Sequence, residues 1–211
     1  MKKYEQNNFI IARKKARKKF KEIPPQELAA NSGADFQSDN NRLRLRFLAD
    51  DYFIDYPEGE IYLADKQDKE IDLKIQILIL YYLNKASGAQ VKDELISYRE
   101  IPHGGNQYYD IFKRRAIDPL VNKFGHQPEK LIEAGKKLNG ETADTGDYSI
   151  TIPVLPKVPM TLIIWAGDDE LPPSGNILLN KSILGYLSAK DIYVAAGITV
   201  KVLTKTAENL E

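Results

Sequence analysis

The sequence predicts an α+β fold: a single domain with an antiparallel meander, a central apolar helix and a late strand pair packed by a C-terminal helix. Three observations point there. Hydropathy changes period along the chain in blocks, from helical steps to strict alternation and back, without the steady βαβ alternation of a doubly wound sheet. The length of 211 residues suits one domain, or two small ones sharing a core. A composition of 43% hydrophobic and 28% charged residues supplies enough apolar surface to bury and excludes collagen-like and wholly disordered chains. Residues 1–27 are expected to form a basic helix belonging to or leading into the domain, and residues 28–211 the α+β domain itself.

Over residues 2–23, Phe9, Ala12, Ala16, Phe20 and Ile23 fall on one helical stripe, with basic side chains over the remaining surface. Pro24-Pro25 stops that helix, because the residue before a proline is pushed out of the α region. A short helical turn over 25–30 ends at Asn31-Ser32-Gly33. From Asn41 the period becomes two: Leu43, Leu45 and Phe47 alternate with Arg42, Arg44 and Arg46, giving one apolar and one cationic face. Ala49-Asp50-Asp51 reads as a turn, then Tyr52, Ile54 and Tyr56 alternate. Pro57-Glu58-Gly59-Glu60 turns the chain again into residues 61–63. Short strands on tight turns make an antiparallel meander.

Ile71, Ile75, Leu78, Ile79, Tyr82 and Leu83 form a wide helical stripe, apolar enough for the central core helix and closed at Ser87-Gly88. Residues 94–101 read as a strand ending in Pro102-His103-Gly104-Gly105. Short helices follow over 106–116 and 119–124, the latter with proline in its first turn, and another over 128–138 is stopped by Asn139-Gly140. After a polar loop at 141–146, Tyr148, Ile150 and Ile152 alternate, and prolines punctuate the chain at 153, 156 and 159. Residues 160–165 are a continuous apolar run suited to a buried strand. Pro172-Pro173-Ser174-Gly175 makes a rigid turn, and Ser188-Ala189-Lys190-Asp191 opens a final helix with a capping-box pattern.

Composition removes several functions. With 30 basic and 30 acidic residues the formal net charge is zero, so no whole-molecule field draws in nucleic acid or an acidic membrane, and nucleic acid is not the expected partner. The absence of cysteine excludes disulfides, thiolate nucleophiles and cysteine-ligated zinc or iron–sulfur clusters in this chain. Phosphate-loop, dinucleotide-fold and nucleophile-elbow patterns are missing, and two histidines 23 positions apart cannot make an H-E-x-x-H zinc site. No apolar run approaches the roughly 20 residues of a membrane span, and the basic start lacks the apolar core of a signal peptide, so no membrane association is expected and cytoplasmic is the default location.

Three constellations could carry chemistry. Asp168-Asp169-Glu170 follows a strand that ends in Trp165. Crowded carboxylates beside a low-dielectric strand end repel one another, raising a pKa or recruiting Mg²⁺ or Ca²⁺, and a solvated turn is the competing reading. The segment Tyr98-Arg99-Glu100-Ile101-Pro102-His103-Gly104-Gly105, with Tyr108 and Tyr109, could present a ligand groove. There Arg99 offers a planar fork for an anion and His103 titrates near neutral pH, against a plain Arg99–Glu100 surface pair. The basic start, with Arg42, Arg44 and Arg46, could hold phosphates, although a solvated helix face is the preferred reading.

Several segments resemble one uncharacterised bacterial and archaeal family built on a domain of unknown function. They are Asn31-Ser32-Gly33-Ala34, Ile96-Ser97-Tyr98-Arg99-Glu100-Ile101-Pro102-x-Gly104 with Tyr108-Tyr109, and Phe112-x-x-Arg115-Ala116-x-Asp118-Pro119-Leu120-Val121 with Phe124-Gly125. Later come Leu155-Pro156-x-Val158-Pro159, Trp165-x-Gly167-Asp168-Asp169-Glu170-x-Pro172 and Tyr186-Leu187. The resemblance spans roughly residues 28–195. It implies relatives mainly in anaerobes, some with an appended cysteine motif like an iron–sulfur module, and hence accessory roles near corrinoid or one-carbon metabolism. This chain departs by lacking cysteine, and His103 stands where the family pattern expects a small residue. The family has no assigned catalytic residues, so none carry over, and no cofactor is specified.

The expectation is therefore a cytoplasmic small-ligand-binding or accessory protein without chemistry of its own. Its cleft would be lined by Arg99, Glu100, His103, Tyr108 and Tyr109 from one stretch and by Trp165, Asp168, Asp169 and Glu170 from the other. The alternative is a hydrolase or lyase in which Asp168, Asp169 and Glu170 bind a divalent metal that activates water.

Overall fold

Helix α1, Lys3–Phe20, turns its buried Ala16 and Phe20 to the core at the period its apolar stripe dictates. It stops just before Pro24-Pro25, and α2, Pro25–Ser32, starts on the second proline. This is a computed structural model describing residues 3–66 and 68–210, with side chains from Asn7 onward; Met1 and Lys2 of the expected basic helix lie outside the described residues. The fold class is α+β. Contacts gather into two compact units, taken in turn below.

The first unit comprises the chain up to Gln90 together with Leu155–Lys157 and Gly185–Leu187. Its sheet runs in chain order, β1 (Asp35–Gln37), β2 (Arg42–Phe47), β3 (Asp50–Asp55) and β4 (Ile61–Leu63), with every pair antiparallel. Leu45 faces Tyr52 and Leu43 faces Ile54, so the alternating apolar face is buried. The turn between β2 and β3 falls at Leu48-Ala49, one residue earlier than the acidic pair suggests, with Leu48 at a φ of 53°. Strand β1 escapes sequence reading because three residues carry no period. Helix α3, Leu73–Lys85, is the core element. Asp72 caps it by accepting the Lys74 N–H at 2.8 Å, and Leu78, Ile79, Leu80, Tyr82 and Leu83 are buried. Helix α1 packs along it, and the Asn84 amide donates to the Ala16 carbonyl at 2.9 Å.

The second unit holds Val91–Val154, Val158–Leu184 and Ser188–Glu211. Its sheet has the order β5-β9-β8-β7-β6, built from β5 (Leu95–Ile96), β6 (Glu141–Thr142), β7 (Tyr148–Leu155), β8 (Val158–Trp165) and β9 (Ser174–Asn180). Pro156 sits in the β7–β8 turn, whereas Pro153 and Pro159 lie inside the strands. Helices α4 (Gly105–Phe112), α5 (Asp118–Phe124) and α6 (Glu129–Lys137) surround α7 (Ala189–Glu208), whose capping box joins Ser188 and Asp191.

Two expectations need correction here. Residues 94–101 are not one strand: β5 is two residues long and a 3₁₀ turn, Tyr98–Glu100, follows, because Ser97 and Glu100 form a capping box that starts a turn instead. The helices expected at 106–116 and 119–124 are joined without a break through a π turn, Lys113–Ile117. Pro119 has no N–H to return to the preceding turn, and the ladder widens there. Among the described residues, no helix is long and apolar enough to cross a membrane.

Candidate functional site

The nine side chains expected to line the cleft belong to the second unit, whereas the basic start and Arg42, Arg44 and Arg46 belong to the first. Ile96 pairs with Leu179 near the end of β9, whereas Trp165 pairs with Ser174 at its start. Five residues of extended chain separate those partners by about 17 Å. The two stretches are thus anchored at different points along β9, and among the described residues no hydrogen bond, ion pair or ring contact joins them.

At the loop end, the acids serve the loop. Asp168 Oδ1 accepts the N–H of Glu170 at 2.9 Å and of Leu171 at 2.8 Å, while the Asp168 N–H donates to the Leu171 carbonyl at 2.9 Å. Those donors, Leu171 first, hold the Asp168 carboxyl below the usual aspartate value, the opposite of the raised pKa that crowding would produce. Asp168, Asp169 and Glu170 are all exposed, as is Trp165 at 38%. Among the described residues, no group of three His, Asp or Glu side chains is placed to hold a metal ion together. The geometry is that of a solvated turn closed by an aspartate. Asp168→Ala is expected to speed exchange of the Glu170 and Leu171 amide protons about five-fold, since each loses a hydrogen bond of roughly 1 kcal/mol, with little effect on global melting. Hydrogen-exchange mass spectrometry over 166–172 checks this.

At the other end, Glu100 is also committed. Its carboxylate accepts the Ser97 N–H at 2.7 Å, and that bond, more than the nearby Lys181, lowers its pKa. It makes no pair with Arg99. The Arg99 guanidinium instead lies over the Tyr109 ring, 3.6 Å from the centroid, with no carboxylate partner among the described residues. Tyr98 and Phe112 stack behind, centroids 4.1 Å apart, and the Tyr98 hydroxyl donates to the Ala189 carbonyl at 2.7 Å. The glycine pair is there for packing: a Cβ on Gly105 would stand 2.5 Å from the Tyr98 carbonyl oxygen and 2.6 Å from that of Arg99. His103 is exposed at a φ of 56° in the turn before α4.

Tyr108 and Tyr109 flank the buried face of α4 about 100° apart, so they look in different directions. Tyr108 meets α7, where Lys190 lies 5.3 Å from its ring centroid and the Tyr193 ring 6.1 Å away; Arg115 stands 5.2 Å from the Tyr193 centroid. The Tyr108 hydroxyl raises the Lys190 pKa by hydrogen bonding and by charge. Lys190 and Tyr193 escaped sequence reading because nothing in the periodicity of the last helix sets them apart. Arg115 was visible only as part of the family-like segment Phe112-x-x-Arg115-Ala116.

Three other family-like stretches meet in the core of the first unit. The Tyr82 hydroxyl donates to the Ser32 carbonyl at 2.5 Å and accepts the Lys157 N–H at 3.2 Å, while its ring stacks on Tyr186 at 5.6 Å. Gly33, at a φ of 76° as the α2 cap, leaves only 3.1 Å between a would-be Cβ and Pro156. Asn31-Ser32-Gly33, Leu155-Pro156 and Tyr186-Leu187 thus converge on one buried hydroxyl and have no chemistry to offer.

No curated protein and no solved structure matches the chain. A protein-family model does, over residues 24–202, and it is described as Domain of unknown function (DUF3786).

Proposed function

We propose, for a chain that belongs to the DUF3786 family, a binding or accessory role in the cytoplasm, exercised on an anionic ligand through Arg99 and without chemistry of its own. The observation that carries this reading is the Arg99–Tyr109 stack at 3.6 Å. A guanidinium held flat on a ring keeps its N–H edge free, loses little freedom on binding, and is weakly hydrated on the ring side. A carboxylate or phosphate group arriving at that edge gains paired, charge-assisted hydrogen bonds. The groups that general acid–base or metal chemistry would need are otherwise engaged: Asp168 closes its loop and Glu100 its capping box. An accessory place near corrinoid or one-carbon metabolism is compatible with the same anion chemistry.

Inorganic phosphate is the simplest probe, with ionic strength held constant. At ten times its dissociation constant it should stabilise the protein by about 1.4 kcal/mol, raising the melting temperature roughly 3–5 °C. Arg99→Ala should abolish the rise and Tyr109→Ala should halve it or more, the latter because the guanidinium then has no ring to lie on. An equal rise in wild type and Arg99→Ala would defeat the assignment.

A further inference from the structure

We propose that the outward face of α1 is a docking surface for the sugar–phosphate backbone of a double-stranded nucleic acid. The net charge of zero describes the chain as a whole and says nothing of where its charges stand. In the first unit, Lys14, Lys15, Lys18 and Lys21 line an open groove of about 870 Å³, closed on its far side by Pro57 and Glu58. All four lysines are exposed. Among the described residues none of the four has a carboxylate partner.

The arginines of this unit differ. Arg17 is tied to Glu60 by bonds of 2.5 and 2.7 Å, and Arg13 donates to Gln76 at 3.0 Å. The strand arginines that the sequence offers as reinforcement are committed as well: Arg42 lies on Phe53 and bonds Gln37, Arg44 pairs with Asp51, and Arg46 donates to the carbonyls of Leu48 and Ala49. Lys14, Lys15 and Lys18 of α1, and Lys21 in the turn that follows it, carry no such tie. Lys14, Lys18 and Lys21 follow at four- and three-residue intervals, about 4.5–6 Å apart along the helix axis, with Lys15 beside Lys14. So tight a row of like charge suits a polymer with regularly spaced anions better than the scattered carboxylates of a protein surface.

The rest of the groove narrows the partner. No aromatic side chain lines it, so it offers no platform on which the bases of a single strand could stack. The apolar stripe of α1 is packed against α3, leaving Ile10 and Ile11 as the exposed aliphatics, too little for a helix to lie in a bilayer interface. What is left is contact with phosphates, blind to sequence.

The test is fluorescence anisotropy of the full chain with a labelled duplex of about 20 base pairs. Four phosphate contacts give a slope of log K against log salt of about −3.6, and about a hundred-fold weaker binding at 200 than at 50 mM salt. Changing Lys14, Lys15, Lys18 and Lys21 together to Gln, which keeps helix propensity, should remove that binding, whereas Lys136→Gln with Lys137→Gln on the exposed face of α6 should leave it intact. Circular dichroism of the quadruple variant confirms that the helix persists. Binding that survives the quadruple change, or that tracks the α6 pair, overturns the proposal. So does adsorption to phosphatidylserine vesicles without duplex binding. Arg99 lies in the other unit, so failure here leaves the anion clamp standing, and the converse.

Discussion

Phe112→Ala is expected to destabilise the second unit by about 4 kcal/mol, within the usual range for deleting a fully buried aromatic ring. Phe112 is 0% exposed, and its ring stacks on Tyr98 with centroids 4.1 Å apart and planes 12° from parallel. Removal leaves a ring-sized void beneath Tyr98, whose hydroxyl is fixed to Ala189 and cannot follow the lost partner. Against a total stability of roughly 5–15 kcal/mol, that loss should move the urea midpoint downward by more than 1 M with the slope unchanged. The same substitution takes away a neighbour of Tyr109, whose ring lies 6.4 Å from that of Phe112, so the phosphate response assigned to Arg99 should weaken in parallel. Phe112→Leu, which retains most of the volume, should lose less than half as much. A midpoint within 0.3 M of wild type for Phe112→Ala would show that the ring pair is not what holds this segment.

That segment also shows how far sequence reasoning reached. Tyr98, Arg99, Glu100 and Tyr109 can be singled out from the chain alone, because an arginine and a glutamate before a glycine pair and two tyrosines are unusual neighbours. What could not be read was the partner each would choose. Adjacent opposite charges suggest an Arg99–Glu100 pair, but Glu100 finds a backbone N–H three residues back and Arg99 finds a ring on the next helix. Backbone donors at a helix start are fixed in place, whereas a surface ion pair must order two long side chains for little gain.

The periodic elements were legible for a different reason. Alternation in Leu43, Leu45 and Phe47 and the stripe in α3 are statements about which faces are buried, and burial dominates the energetics. Short pieces such as β1, β5 and β6 carry no such signal; a strand of two residues exists because a neighbouring strand offers free hydrogen-bonding groups, as β9 does for Leu95 and Ile96. The spatial relation of the two candidate stretches was illegible at the same level. Joining the two candidate stretches required knowing that both reach β9 and at which register, and strand register is a long-range property that no local pattern encodes.

Raising the pH should unfold the protein cooperatively above about pH 10, through tyrosines that the core keeps neutral. Tyr52, Tyr82 and Tyr98 are all at most 4% exposed. Burial pushes the Tyr52 hydroxyl up to about 12 and raises those of Tyr82 and Tyr98 as well. In the unfolded chain a tyrosine ionises near pH 10. Above that value the unfolded state holds fewer protons than the native one, so stability falls as pH rises. The stabilising contribution is complete below the unfolded pKa and is lost on the way through the folded one. Each such tyrosine removes up to about 1.4 kcal/mol per pH unit, and several acting together exhaust a stability of roughly 5–15 kcal/mol within two or three units. Tyrosinate absorbance and far-ultraviolet circular dichroism should therefore change together and steeply. Tyr52→Phe sharpens the test. Among the described residues none hydrogen-bonds its hydroxyl, so the variant should be as stable as wild type near neutral pH yet unfold at an alkaline midpoint a few tenths of a unit higher. Smooth ionisation of every tyrosine near pH 10 with the helical signal intact would mean that these hydroxyls are reached by water in the native state and that burial does not set their titration.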